Sequence, residues 1–374
     1  MTTPLRVAVL GAGTVGREVV RALLERPDSL RAADGAPIEL AGVAVRDAAR
    51  AVAAGIPEGL LTDAPAHLVA SPKTDVVVEL MGGDEPARTL IAAALAAGKA
   101  VVTANKHVLA HHGPELEAIA RRTGAPFRFE AAVGGGTPIL WPLAFDLAAN
   151  RIDAVRGIVN GTTNFILTAM TAEGRPYAAV LADAQAAGYA EADPRGDVEG
   201  HDAVNKLVVL ARLAFGRWLD PASIAIAPFL AGGALGLPGV TGVTPADIAA
   251  ARAAGFALKL IAGAARSGGA ITGTVLPSAV PLDGPLGRTD GVLNRIEVVA
   301  DPVGTVAFCG PGAGGPATSS AVLADIIAIA RQAGSTWAGL GPATGPEAAG
   351  RPATTSAGSD VFAAPSGARY PIVR

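Results

Sequence analysis

Leu5-Arg6-Val7-Ala8-Val9-Leu10-Gly11-Ala12-Gly13-Thr14-Val15-Gly16 decides the fold of this 374-residue chain. Residues 5–10 are a short, mainly apolar run, the pattern of a buried strand. A G-x-G-x-x-G sequence follows at once. Residues 17–26 then place apolar side chains at helical spacing, through Val19, Val20, Leu23 and Leu24. Strand, glycine turn and helix in immediate succession give each glycine a mechanical task. Gly11 permits the tight turn, Gly13 lets backbone approach a pyrophosphate, and Gly16 lets the helix lie close to the strand. The pyrophosphate would rest on the helix N-terminus, where N–H groups and the dipole favour an anion. The expected fold class is α/β, with a Rossmann-type nucleotide-binding domain.

Strands and helices alternate downstream. Residues 38–45 read as a second strand, followed by Arg46 and Asp47. Arg46 suits a ribose 2′-phosphate and so NADP; Asp47 suits a 2′-hydroxyl and so NAD. Residues 75–80 and 100–103 read as further strands, with a helix over 86–97 between them. Ligands of open α/β sheets bind at the carboxyl ends of strands, which puts Asn105 and Lys106 at the cofactor site. The plainer reading of Lys106 is a surface lysine. His107, His111 and His112 have no acidic or cysteine partner nearby in sequence, so they read as exposed helix histidines rather than metal ligands. A strand over 126–129 leads to Glu130-Ala131-Ala132-Val133-Gly134-Gly135-Gly136-Thr137-Pro138. Consecutive glycines leave carbonyl oxygens uncovered for a hard cation, and they also suit a hinge.

The alternation then ends, and a second, α+β domain is expected. Residues 153–160 read as a strand and Gly161-Thr162-Thr163-Asn164 as a helix start. The stretch 188–206, GYAEADPRGDVEGHDAVNK, carries Glu191, Asp193, Asp197, Glu199 and Asp202 among turn-forming Gly and Pro. Asp202 and Lys206 stand four apart at the head of an apolar helix, on one face. They are either a solvated pair or part of a pocket floor. Short apolar runs over 254–306 suggest strands of a mixed sheet. Gly310 to Gly315 precede a helix over 318–331, offering amides to a phosphate or close packing to the first domain. The segment 342–367 is rich in Gly, Ala, Pro, Ser and Thr and reads as irregular. The expected domains are 1–130, 131–305, a C-terminal return over 306–340, and an irregular tail over 341–374.

Composition narrows the function. Half of the residues are hydrophobic and 17% are charged, which excludes global disorder. The net charge is −3 with no basic stripe, so nucleic acid is not an expected partner. One cysteine, Cys309, excludes an internal disulfide and fits a reducing cytosol. Neither a leader-like n- and h-region nor a membrane-length apolar stretch is evident, so a cytoplasmic protein is expected.

Several stretches together resemble the homoserine dehydrogenase family. They are 11–16, 78–83 (VELMGG), 103–106 (TANK), 129–138, 160–165 (NGTTNF), 188–206 and 310–315, in the family's order. The resemblance implies reversible NAD(P)-linked interconversion of L-aspartate 4-semialdehyde and L-homoserine, a step toward threonine and methionine. It implies a homodimer whose second domain binds substrate and dimerises. Gly11, Gly13, Thr14, Val15 and Gly16 would hold the dinucleotide, with Arg46 near a 2′-phosphate, Lys106 in reach and Gly310 near the nicotinamide. Glu191 would bind the substrate's ammonium group. Lys206, Asp202 and Lys106 would line the reacting centre. Glu130, Val133, Gly135 and Thr137 match a site for a monovalent cation, Na or K, the last three through carbonyls. Many members append a regulatory ACT domain; the tail here is too short and differently composed, so a short form is expected.

The carbonyl oxygen must gain a proton as hydride arrives, and a desolvated lysine can supply it. Lys206, held by Asp202, is the first choice and Lys106 the second. Asp193, Asp197 and Glu199 are read as loop-shaping, capping or solvated groups. Two alternatives stand beside this reading: a related oxidoreductase for another amino-acid aldehyde or alcohol, and a non-catalytic dinucleotide-binding regulator.

Overall fold

A computed structural model describes residues 3–27, 29–32, 35–343, 345–350 and 360–374. They fall into two units, Met1–Ala148 with Ala313–Gly345, and Ala149–Gly312 with Pro346–Arg374. The chain's first strand, β1 (Leu5–Leu10), lies mid-sheet, and Val7, Ala8, Val9 and Leu10 are all fully buried. It leads into α1 (Thr14–Glu25). Then come β2 (Ile38–Ala44), α2 (Ala48–Ala53), β3 (Leu61–Thr62), α3 (Pro65–Ala70), β4 (Val76–Glu79) and α4 (Ala87–Ala96). The alternation ends with β5 (Ala100–Thr103), α5 (Lys106–Thr123), β6 (Phe127–Arg128) and the short α6 (Leu140–Ala144). The six strands run parallel in the order β3-β2-β1-β4-β5-β6. Strand order reverses between β1 and β4, where such sheets bind ligands.

The glycine turn is as tight as its sequence requires. Gly11 has φ +99°, and a Cβ there would lie 2.7 Å from the Leu80 carbonyl oxygen. A Cβ on Gly16 would lie 2.0 Å from the Gly11 carbonyl oxygen. Neither neighbour is a side chain able to swing away, so only glycine fits.

The second unit begins with β7 (Arg151–Ile158), α7 (Gly161–Glu173), α8 (Tyr177–Ala186), the single turn α9 (Arg195–Val198) and α10 (His201–Phe215). After β8 (Phe229–Leu230) and α11 (Pro245–Ala253) come the long strands β9 (Phe256–Ser267), β10 (Ala270–Pro281), β11 (Leu293–Asp301) and β12 (Gly304–Pro311). They form an antiparallel sheet in the order β10-β9-β7-β11-β12. The single turn α9 lies midway along the acidic stretch 188–206.

The chain next contributes α12 (Gly315–Ala330) to the first unit. Val322, Ile326 and Ile329 of α12 share one core cluster with Val19, Val20 and Leu23 of α1. Beyond α12, the segment follows the outer edge of β6. Phe127 and Phe129 donate their N–H groups to the hydroxyls of Ser335 and Thr336, and Thr336 donates its own to the Phe127 carbonyl. Trp337 is buried against both phenylalanines. Beneath lies a buried ion pair: Arg128 Nε donates to Asp325 Oδ1 at 2.7 Å, and the Glu130 N–H donates to Asp325 Oδ2 at 2.7 Å.

The unit boundaries differ from the sequence-based ones. Residues 131–148 stay with the first unit because the Glu130 carboxylate accepts the N–H groups of Ile139, Leu140 and Trp141 at the start of α6. The tail is also not irregular throughout. Residues 344 and 351–359 lie outside the described residues, but β13 (Val361–Ala363) and β14 (Ala368–Pro371) form a sheet with β8. Tyr370 is buried and its hydroxyl donates to Asp247 Oδ2 at 3.1 Å. The outer edge of β10 is met in turn by Ala225, Gly350 and Ile372.

Asp325→Ala would leave the Arg128 guanidinium buried without its counter-charge and the Glu130 N–H without an acceptor. Such a change costs about 3–5 kcal/mol. Urea unfolding is expected to show that loss; a change below about 1 kcal/mol would mean the pair does not hold α12 in place.

Candidate active site

In the first unit the expected dinucleotide residues cluster at the head of α1. Gly13 and Thr14 are exposed, Val15 is half-buried, and α1 has no side-chain cap. A Cβ on Gly13 would meet nothing within 4 Å. Gly13 is thus the one glycine of the turn open to space, while Gly11 and Gly16 are closed by backbone. The donor set fits a pyrophosphate, since an uncapped helix start and a bare backbone approach suit an anion. The head of α12 joins this region: a Cβ on Gly315 would lie 2.9 Å from the Thr14 carbonyl oxygen. The second glycine-rich helix start therefore serves packing as well.

Arg46 is exposed just past β2. Asp47 caps α2, accepting the Arg50 N–H at 2.9 Å. Lys106 is the first residue of α5, whose cap is the Asn105 side chain accepting the Val108 N–H at 3.1 Å. The histidines have an acidic partner after all, brought by the loop before α4. His112 Nε2 lies 2.8 Å and His107 Nε2 4.0 Å from Asp84 Oδ1. Among the described residues no group of three or more such side chains is arranged to hold a metal ion.

Glu79 was not singled out from the sequence. It is fully buried at the end of β4. Oε1 accepts the N–H groups of Met81 (2.8 Å) and Gly82 (3.2 Å), and Oε2 accepts the Thr103 hydroxyl at 2.6 Å. Burial raises its pKa, and those hydrogen bonds oppose the rise. Nothing local distinguishes it from a surface glutamate, except its place at the end of an apolar strand.

The loop after β6 carries the residues expected to line a cation site. The Glu130 carboxylate is engaged by three backbone N–H groups, and burial beside Asp325 raises its pKa. Among the described residues, the carbonyls of Val133, Gly135 and Thr137 accept no hydrogen bond, and all three residues are buried. Hard carbonyl oxygens of this kind suit a monovalent cation.

In the second unit the Asp202–Lys206 pair is not a solvated one. Lys206 Nζ lies 2.7 Å from Asp202 Oδ2, with side-chain exposures of 10% and 13%. Lys206 Nζ also donates to the Val159 carbonyl at 2.7 Å. Two of its three N–H directions are thereby fixed, leaving one for a ligand. Asn160 was named only within a motif, yet it is the hub of this region. Its Nδ2 donates to Asp202 Oδ2 (2.9 Å) and Asp197 Oδ1 (2.7 Å), and its Oδ1 caps α7 by accepting the Thr163 N–H (2.9 Å). The Thr162 hydroxyl shares its one hydrogen between Asp197 Oδ2 and the Tyr189 carbonyl. Asp197, half-buried, is therefore tied to Asn160 and Thr162 and shapes the loop as read.

The other acids divide as expected from a loop. Asp193 pairs with Arg195 at the surface, and that pairing pulls its pKa down to about 2. Glu199 lies 3.3 Å from His201. Glu191 is exposed, with Gln185 donating to its backbone carbonyl and not to its carboxylate. Gly310 belongs to this unit, on β12 opposite Asn294.

The chain is similar to known proteins. Residues 11–130 match the family model for the homoserine dehydrogenase NAD binding domain, and residues 138–327 match the model for homoserine dehydrogenase. Homoserine dehydrogenase of Mycobacterium tuberculosis is 43% identical over 333 residues, 88% of this chain and 73% of the relative. That of Bacillus subtilis is 39% identical over 325 residues, 87% and 72%. The crystal structure of a homoserine dehydrogenase from Thiobacillus denitrificans superposes with a TM-score of 0.84 at 37% identity, over 92% of this chain and 79% of that one. A hyperthermophilic archaeal homoserine dehydrogenase in complex with NADPH gives 0.71 at 27% identity, over 87% and 97%. With its parallel nucleotide-binding sheet, its antiparallel second sheet and both halves matched along most of their length, the chain belongs to the homoserine dehydrogenase family of NAD(P)-dependent oxidoreductases.

Proposed function

We propose that this dehydrogenase uses NADP to interconvert L-aspartate 4-semialdehyde and L-homoserine, with Lys206 as the proton-transferring group. The observation that carries the assignment is the near-buried Lys206, fixed by Asp202 and the Val159 carbonyl with one N–H direction left open. The dinucleotide supplies or accepts hydride at the carbon bearing the oxygen. Lys206 gives a proton to that oxygen during reduction and removes it during oxidation. Asp202, itself held by Asn160, keeps the ammonium in place. Glu191 presents an exposed carboxylate suited to the substrate's ammonium group. Lys106, at the head of α5, is proposed to contact the cofactor.

NADP preference is supported by Arg46, exposed past β2, and by Asp47, whose carboxylate caps α2 instead of facing a ribose hydroxyl. A monovalent cation, Na or K, would bind the carbonyls of Val133, Gly135 and Thr137 and add positive charge to that loop. A homodimer fits a second-unit sheet in which, among the described residues, β12 has a partner strand on one side only. Membership of the family supports a cytoplasmic place in threonine and methionine synthesis. No helix among the described residues is long and apolar enough to cross a membrane.

Lys206→Ala is expected to lower kcat for L-homoserine oxidation by about 10²–10⁴-fold with a native circular dichroism spectrum. Near-normal turnover would sink the assignment. Folded protein that binds dinucleotide but oxidises no homoserine in the unmutated form would favour a regulator, and turnover of a different amino alcohol would favour a changed substrate.

Gly13→Ala puts a methyl group into open space, so its melting temperature should stay within a few degrees of the parent. Dinucleotide affinity should nevertheless drop at least about tenfold, because the pyrophosphate needs that space. Unchanged affinity by fluorescence titration would place the phosphate elsewhere.

Arg46→Ala is expected to weaken NADP at least about tenfold and to leave NAD nearly unchanged, as loss of a charged hydrogen bond to a 2′-phosphate requires. Equal effects on both, read as kcat/KM, would contradict NADP preference.

A further inference from the structure

Glu79 is a buried carboxylate without a cation. Among the described residues no lysine or arginine pairs with it, in contrast to Asp325 with Arg128. Its neighbours on β4, Val76, Val77 and Val78, are fully buried and apolar. Packing alone would be better served by another valine, since a buried charge costs desolvation that neutral donors only partly offset. What those donors have in common is their position. The Met81 and Gly82 N–H groups belong to the loop after β4, and the Thr103 hydroxyl stands at the end of β5.

The hydrogen bonds continue from there and close on themselves. Thr103 Oγ1 accepts the Asn105 N–H at 3.0 Å, and Asn105 Nδ2 donates to the Gly83 carbonyl at 2.8 Å. A ring thus runs from Glu79 through Thr103 and Asn105 to Gly83 and back along the 81–83 loop. Gly82 and Gly83 adopt φ +69° and +72° with open space where a Cβ would be, so the ring dictates their shape without any steric wall. Two ligand-facing features rest on this ring. Leu80 and Met81 form the backbone surface against which Gly11 closes its turn. Asn105 caps α5 immediately before Lys106.

We propose that Glu79, acting through Thr103, is a positioning residue that locks the loops after β4 and β5 into the shape that receives the dinucleotide. Neither side chain needs to touch the ligand. The proposal rests on the reading that the first unit binds the dinucleotide. Misplacing such loops by about 1 Å is enough to cost orders of magnitude in a well-oriented site.

Thr103→Val removes the link with little change of shape, and Thr103→Ser restores the hydroxyl. The measurement is NADPH affinity of the full chain by fluorescence titration, beside the melting temperature of each variant. Thr103→Val is expected to bind at least about tenfold more weakly. Thr103→Ser should return to within about twofold of the parent, whatever either does to melting temperature. Parental affinity in folded Thr103→Val, or weakening by Thr103→Ser as large as by Thr103→Val, would overturn the proposal. If Thr103→Val fails to fold, Thr103→Ala takes its place, since it also removes the hydroxyl; parental affinity there overturns the proposal equally. An unmutated chain that does not bind NADPH would instead refute the dinucleotide reading, and the proposal with it.

Discussion

One buried carboxylate, Asp325, holds together parts of the first unit that are distant in sequence. It sits on α12, and its partners Arg128 and Glu130 lie 197 and 195 residues earlier. Through Arg128 it joins α12 to the edge strand β6. Through the Glu130 amide it fixes the turn whose side chain then caps α6. The interaction is expensive in isolation, because burial pushes the Asp325 carboxyl up while Arg128 pulls it down. Its use is geometric: it sets where the glycine-rich loop over 133–137 begins, and a Cβ on Gly136 of that loop would press on Ala317 of α12.

The second unit handles charge differently. Asp197 and Asp202 share one neutral amide, Asn160, and Lys206 contacts the same Asp202 Oδ2 that the amide does. An arginine in place of Asn160 would compete with Lys206 for Asp202. An amide satisfies lone pairs without adding charge, so Lys206 keeps its role as the cation of the cluster, while Asn160 still has an oxygen left to cap α7.

Much of the first unit was legible in the sequence because its signals are local. Strands buried on both faces must be apolar runs, and the G-x-G-x-x-G turn admits no other residue where Leu80 and Gly11 backbone crowd it. The Asp202–Lys206 pair was legible from its spacing of four on a helix. What surrounds that pair was not, since Asn160 reaches it across 42 residues and Val159 across 47. Glu79 was hidden for the same reason: its meaning lies in Thr103, 24 residues on. Asp84 reaches the α5 histidines from a separate loop, which sequence adjacency cannot show. The tail misled because composition averages over Val361, Phe362 and Tyr370, whose strands pair with each other, β14 pairing also with β8 and Tyr370 bonding to Asp247.

That tail has a consequence for solubility. Long antiparallel strands end in rows of unpaired N–H and C=O groups, which recruit other chains edge to edge. Along β10, the Ile271, Ala225 and Ala279 carbonyls accept N–H groups from Gly350, Val275 and Val373, so three separate segments screen that margin. Two of the three come from residues beyond 345. Residues beyond 345 thus cover part of an edge that would otherwise stand open to edge-to-edge association.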